Sequence, residues 1–273
     1  MEYIIFREKK IFYRVEGEGN PVVLLHGFGE DGNIWNQQIA KFKKEYLLII
    51  PDLPGSGQSE RLNGKCTIDD YAEIVKAIAE KEIIKNEIKV FSLIGHSMGG
   101  YITLAFAERY PELLNSFGLF HSSAYADDEQ KIETRKKGID FIKKNGAEAF
   151  LKTSIPNLFS EKTRQEKPGL IERLLNLANK ISAETLIQYY EAMILRPDRT
   201  SVLRSFPKPV LFIIGKNDTA VPMEASLQQC HMPVISSVHI LQNSGHVGMW
   251  EEEELSSFYL SHFLAAYARI KEN

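Results

Sequence analysis

A serine, an aspartate and a histidine in this chain sit where together they could transfer an acyl group. Ser97 lies within Gly95-His96-Ser97-Met98-Gly99-Gly100, after the apolar run 90–94 and before a stretch of helical periodicity, 98–110. A tight turn between a buried strand and a helix holds a hydroxyl proud of the sheet edge, and glycines on either side remove side chains that would collide with the neighbouring strand and helix. The helix start also aims free N–H groups and its positive dipole end at the same point. Asp218 follows Ile213-Ile214-Gly215-Lys216-Asn217, and His246 follows Asn243-Ser244-Gly245. A serine hydroxyl attacks poorly at neutral pH without a base in hydrogen-bond reach. An imidazole supplies that base, and a buried carboxylate fixes its tautomer and stabilises the imidazolium. Singly, each residue has a plainer role: a helix cap, a strand-end turn, a helix entry. The order Ser, Asp, His, each just past a strand, favours the chemistry.

The elements that must position these residues alternate. Strands are expected at 3–7, 11–15, 21–26, 46–51, 90–94, 116–120, 209–214 and 238–241. Helices are expected at 33–46, from Thr67 or Asp69 through Ile84, at 98–110, 223–230 and 251–270. Pro111 ends the third of these, because the residue before proline is driven out of the helical region. Alternating strands and helices imply an α/β class with a mostly parallel sheet covered on both faces. In such sheets functional groups gather outside the carboxyl ends of the strands, so three separate turns would bring Ser97, Asp218 and His246 to one edge. From 125 to 204 the alternation stops. Only charged amphipathic segments appear there (129–144, 167–180 and 183–195), which reads as a helical insertion between two strands of the sheet.

Composition excludes several classes. The 273 residues are 44% hydrophobic and 25% charged, ordinary for a soluble enzyme, with a net charge of −3 and a pI near 6.2. Nothing marks a nucleic-acid footprint. No apolar run approaches a membrane span. The first ten residues carry charges where a signal peptide needs an apolar stretch, so a cytoplasmic location is expected. Cys66 and Cys230 fit no metal spacing and are expected to stay free thiols. No histidine pattern matches a metal motif, so neither metal nor cofactor is expected.

The whole set of motifs resembles the α/β-hydrolase superfamily, in particular its small esterase, perhydrolase and carbon–carbon-bond hydrolase branches. The resemblance rests on His26-Gly27-Phe28-Gly29, Pro51-Asp52-Leu53-Pro54-Gly55, the Ser97 elbow, Asp218 before Val221-Pro222, and Gly245-His246, and so covers nearly the whole chain. It implies an α/β-hydrolase fold with about eight strands, a core of residues 1–124 and 205–273, and a helical cap at 125–204. It implies that the backbone N–H groups of Phe28 and Met98 bind a developing oxyanion. Ser97 excludes the members that use an Asp nucleophile. The expected substrate is a small or medium carboxylic ester, split through an acyl-enzyme. Other acyl or carbon–carbon hydrolysis, perhydrolysis, and a non-enzymatic ligand receptor of the same fold are the alternatives. Oligomeric state cannot be read from these patterns.

A rival motif overlaps the first turn. Gly27-Phe28-Gly29-Glu30-Asp31-Gly32 matches G-x-G-x-x-G after a strand, and Asp52 ends the next strand where a ribose acid would stand. The helix is expected to begin only after Gly32, however, so its N-terminus would miss a pyrophosphate. That reading also leaves the three chemical residues unused. Among other residues, Asp127 and Asp128 are a minor alternative to Asp218, and His96 reads as structural. His121 reads as either a pocket or a core residue, and His231, His239 and His262 as surface residues. Arg135-Lys136-Lys137 reads as a solvated helix face. Of the insertion's apolar residues (Phe141, Phe150, Leu151, Ile155, Leu158, Phe159, Leu174, Leu175, Leu177, Leu186, Ile187), a minority are expected to face the cleft. No cluster of charge marks an ionic substrate.

Overall fold

Short apolar runs pair into one sheet of eight strands. In the computed structural model, which describes residues 1–86 and 89–268, these are β1 (Glu2–Phe6), β2 (Lys9–Glu16), β3 (Asn20–Leu25), β4 (Tyr46–Pro51), β5 (Phe91–His96), β6 (Leu114–Phe120), β7 (Val210–Gly215) and β8 (Ser236–Leu241). Their spatial order is β1-β2-β4-β3-β5-β6-β7-β8. The six strands from β4 to β8 are parallel, while β2 runs antiparallel to both β4 and β1. β4, β5 and β7 are buried at every position, as strands covered on both faces must be. β1 alternates between exposed and half-buried residues, which suits an edge strand.

Helices α1 (Asn36–Phe42), α2 (Ile68–Asn86) and α3 (Met98–Arg109) belong to the first half of the sheet. Between β6 and β7 run α4 (Glu129–Ser154), α5 (Glu161–Glu166), α6 (Pro168–Ala178), α7 (Ala183–Ile194) and α8 (Thr200–Ser205). Last come α9 (Met223–Leu227), α10 (Gly248–Glu251) and α11 (Glu253–Tyr267). On one face Tyr71, Ile74, Val75, Ile102 and Phe106 pack with Leu93, Phe117 and Phe212. On the other, Trp35, Ile39, Phe263 and Leu264 pack with Leu24, Ile94 and Ile213. Each such side chain stabilises the fold by about 1.5–3 kcal/mol through burial.

Differences from expectation have local causes. The helix expected at 33–46 is a 3-10 turn, Gly32–Trp35, capped by the Asp31 carboxylate and followed by a short α1. α2 opens with Thr67, whose hydroxyl accepts from the Asp70 N–H while Asp70 accepts from the Thr67 N–H. That reciprocal pair decides between the two candidate caps. α4 runs ten residues past its expected end, kinked at Gly146, where φ is 84°. The final helix, expected at 251–270, is cut at Glu252, whose carboxylate turns back to the Asn243 N–H and Ser244 hydroxyl. Its expected end, Ile270, lies outside the described residues. Cys66 and Cys230 are both free thiols. No helix among the described residues is long and apolar enough to cross a membrane.

Candidate active site

Five strand ends converge on one point. Ser97 terminates β5 with φ 52° and ψ −117°, a strained conformation for a residue with a side chain. The close packing that enforces it leaves no room for Cβ atoms nearby. A Cβ on Gly95 would lie 2.2 Å from the Gly99 carbonyl oxygen, and one on Gly99 would lie 2.7 Å from that of His26. Ser97 Oγ is 2.8 Å from His246 Nε2, and His246 Nδ1 is 2.8 Å from Asp218 Oδ2. The three residues named from the sequence therefore form one continuous hydrogen-bonded chain, linking the ends of β5, β8 and β7.

Asp218 is buried and fully engaged. Its Oδ1 accepts from the Ala220 and Val221 N–H groups at 2.9 and 2.8 Å. Its Oδ2 faces both His246 and His121 Nδ1, the latter at 3.3 Å. Burial alone would raise its pKa. The charge of His246 and the hydrogen bonds from His121 and His246 outweigh that and hold the carboxyl well below the usual range. Asp127, the sequence's alternative acid, is paired instead with Arg135 and Arg196, and Asp128 caps α4 through the Lys131 N–H.

Two further histidines brace this chain. His96 Nδ1 lies 2.9 Å from Glu30 Oε2, and His96 Nε2 lies 2.8 Å from the His246 carbonyl oxygen. Glu30 Oε2 also accepts from the Gly27 N–H at 2.7 Å. Both ring nitrogens of His96 face acceptors, which suits a protonated ring. Burial opposes its charge, but Glu30 raises its pKa, and His96 in turn lowers that of Glu30 despite burial. This buried ion pair ties the Gly27-Phe28 turn to the loop carrying His246. His121 is the opposite case. The Gly215 N–H points at Nδ1 and the Gly248 N–H at Nε2, at 3.1 and 3.2 Å. A doubly protonated ring has no place there, and burial pushes its pKa down to about 4. A neutral ring with its proton on Nδ1 donates to Asp218 Oδ2 and accepts from the Gly248 N–H at Nε2, but cannot then also accept the Gly215 N–H.

The ligand atoms of His121, Asp218 and His246 lie within 4.8 Å of one another, close enough in principle to share a cation. The donor set argues against it. The His121 nitrogens face N–H groups, and Asp218 Oδ1 is already taken by two. The dinucleotide reading fails similarly. Asp52 is buried and both its carboxylate oxygens already accept, from the Gly32 and Gln58 N–H groups, so it is poorly placed to meet a ribose.

The helical segment between β6 and β7 walls the site. Leu158 accepts from the His246 N–H at 2.6 Å. The buried Glu251 carboxylate accepts from Gly245 and Ser160, fastening that segment to the histidine loop. The Phe28 ring stacks on Tyr190 of α7 at 4.4 Å. Between these walls lies a cavity of about 120 Å³, lined by Phe28, Tyr190, Leu158, Met193, Ala220 and Val221 on its apolar side. Ser97, His246, Glu30, Tyr101 and Arg135 supply its polar groups.

Of the eleven apolar residues expected to divide between core and cleft, Leu158 alone lines this cavity. Tyr190 and Met193 of α7, and Glu30 after the first turn, line it as well, and no local motif in the sequence marks them. The largest departure is Arg135. Expected on a solvated face with Lys136 and Lys137, it turns inward with its side chain 13% exposed. The signal was present in the spacing, since Arg135 shares a helix face with Ile139 and Ile142, both buried. Arg135, Arg196 and Asp127 form a cluster of charge there that the sequence alone did not show. His231 and His262 are exposed as expected, while His239 is half-buried and stacks on Tyr259.

The chain belongs to the α/β-hydrolase family: residues 20–253 match the family model described as the alpha/beta hydrolase fold. A thermophilic esterase from Thermogutta terrifontis, solved with malate bound, superimposes with a TM-score of 0.89 at 26% identity over 94% of each chain. The (E)-2-((N-methylformamido)methylene)succinate hydrolase of Acinetobacter baylyi is 26% identical over 241 residues, 86% of each chain. The 2-hydroxy-6-oxononadienedioate/2-hydroxy-6-oxononatrienedioate hydrolase of Escherichia coli K12 is 27% identical over 275 residues, 94% of this chain and 91% of its own.

Proposed function

We propose that this hydrolase cleaves small carboxylic esters by acyl transfer, with Ser97 as nucleophile, His246 as general base and Asp218 as the residue that orients the base. The observation that carries the reading is the hydrogen-bonded chain Ser97–His246–Asp218 on a strained elbow, facing a small cavity. Ser97 Oγ attacks the ester carbonyl as His246 Nε2 takes its proton. The carbonyl oxygen becomes an oxyanion, held by the backbone N–H groups of Phe28 and Met98. Support for that role comes from the approach of the two turns, since a Cβ on Gly27 would lie only 3.0 Å from Ser97 Cβ. The tetrahedral intermediate collapses and the alcohol departs with the proton from His246. Water, deprotonated by the same base, then releases the acid and regenerates Ser97.

The helical segment, residues 125–204, serves in this reading as a cap that limits the acyl group. The cavity beside Ser97 is small, about 120 Å³, which favours short acyl chains over long ones. Relatives named for esterase activity and for hydrolysis of succinate and dioate compounds support a small substrate. Carbon–carbon hydrolysis could use the same triad, and the two are separated by comparing an ester with a diketone of equal size. The test is labelling by a fluorophosphonate together with turnover of 4-nitrophenyl esters. One label at Ser97 is expected, and Ser97→Ala should lose several orders of magnitude in rate while staying folded. Turnover near wild-type in S97A sinks the reading. Turnover should also survive a chelator, because no step needs a metal.

A further inference from the structure

Two guanidinium groups share one carboxylate beside the candidate nucleophile. Arg135 Nε donates to Asp127 Oδ2 at 2.6 Å, and Arg196 donates to Asp127 Oδ1 at 2.9 Å. The Arg196 side chain is 4% exposed and sits 3.9 Å over the Tyr101 ring. Arg196 Nε is buried with no hydrogen-bond partner. The Arg135 bonds to Asp127 use Nε and Nη2, leaving Nη1 without a partner among the described residues. Other charges nearby do not cancel the excess. Asp128 caps α4, Lys131 adds a further positive charge, and Glu30 is already neutralised by His96. One unit of positive charge therefore stays uncompensated in a mostly enclosed place, which is costly unless a ligand anion completes it.

Position makes this a substrate feature. Arg135 and Tyr190, with Ala220 and Val221, line both the cavity at Ser97 and a cleft of about 550 Å³ leading away past Tyr125, Lys131 and Arg196. Arg135 thus stands at the neck between the two. Tyr101 reports the same field: burial raises its pKa, yet Arg196, Arg135 and Lys131 pull it below its ordinary value. We propose that Arg135 binds a carboxylate carried by the substrate, so that the preferred esters are those bearing a second, free acid group. A planar guanidinium with open N–H donors matches a carboxylate, and a single net charge matches a monoanion. The idea rests on the ester-hydrolase reading for its reaction but not for its binding site.

The test compares each charged ester with its own methyl-capped, neutral form: mono-4-nitrophenyl glutarate for a carboxylate on the acyl side, and 4-carboxyphenyl butyrate for one on the alcohol side. In at least one pair the wild-type kcat/KM should favour the acid about tenfold or more, and Arg135→Gln should erase that ratio. Arg135→Lys should keep part of it. Asp127 retains Arg196 in either variant, which guards the fold. A wild-type ratio of one or less in both pairs overturns the proposal, as does a ratio unchanged in R135Q. If neither ester turns over and Ser97 resists labelling, the hydrolase reading has failed. The anion site is then judged alone: glutarate, but not butyramide, should raise the melting temperature of the wild type and not of R135Q. Equal shifts for the two compounds, or for the two proteins, would refute it.

Discussion

The sheet edge and the helical segment above it contribute to the site in opposite ways. At the edge, hydrogen-bonding capacity is nearly all used within the fold. Asp218 accepts from two N–H groups and faces two histidines, and Glu30 binds both His96 and the Gly27 N–H. Above it, Arg135 and Arg196 bring more charge than Asp127 can match. Saturated groups cannot move or change protonation without loss, which suits a fixed reacting geometry. Unsaturated groups wait for a ligand. On the proposed reading, the edge would hold reacting atoms in place and the segment above would choose what reaches them.

If this contrast is right, damage to the edge should cost rate or fold, and damage above it should change selectivity. The largest effect after loss of Ser97 is expected for Asp218→Asn, which leaves His246 in the wrong tautomer and should lower kcat by about 10³–10⁴-fold. A near-normal kcat in D218N would place the orienting acid elsewhere. Glu30→Gln breaks a buried ion pair and should destabilise the protein by roughly 3–5 kcal/mol in chemical denaturation. A loss below about 1 kcal/mol would mean that the pair is not ionised.

The two bracing histidines should also split by pH. His121 is depressed to about 4 in the folded chain, against 6.5 unperturbed. As pH falls through 6.5 the unfolded chain takes a proton that the folded chain refuses, so stability drops by up to about 3 kcal/mol by pH 4. His96 is raised, so its contribution is complete below 6.5 and is lost as pH rises through its folded pKa. Stability should therefore peak between these windows, and His121→Asn should flatten the acid side of the curve. An unchanged acid limb in H121N would contradict the assignment. The smallest steps concern acyl length: each methylene that fits the cavity should add up to about 0.8 kcal/mol to transition-state binding before kcat/KM falls sharply. A profile still rising at long chains would mean that the cavity opens freely.

What was legible in the sequence was whatever adjacent residues decide. The elbow is a strand, a serine between glycines and a helix in one continuous stretch, and backbone sterics act over those few residues. The sheet was legible from runs of buried residues, although short pieces such as α5 and α8, and the break at Glu252, escaped because caps and turned-back side chains set them. Tertiary structure alone decided where each spare charge and each histidine ends. Glu30 meets His96 66 residues away, and Asp127 meets Arg196 69 residues away. Arg135 looked like its neighbours Lys136 and Lys137 until α4 docked and turned one of the three inward. Whether a charge is solvated or buried depends on what lies across the gap, and that partner is distant in the chain.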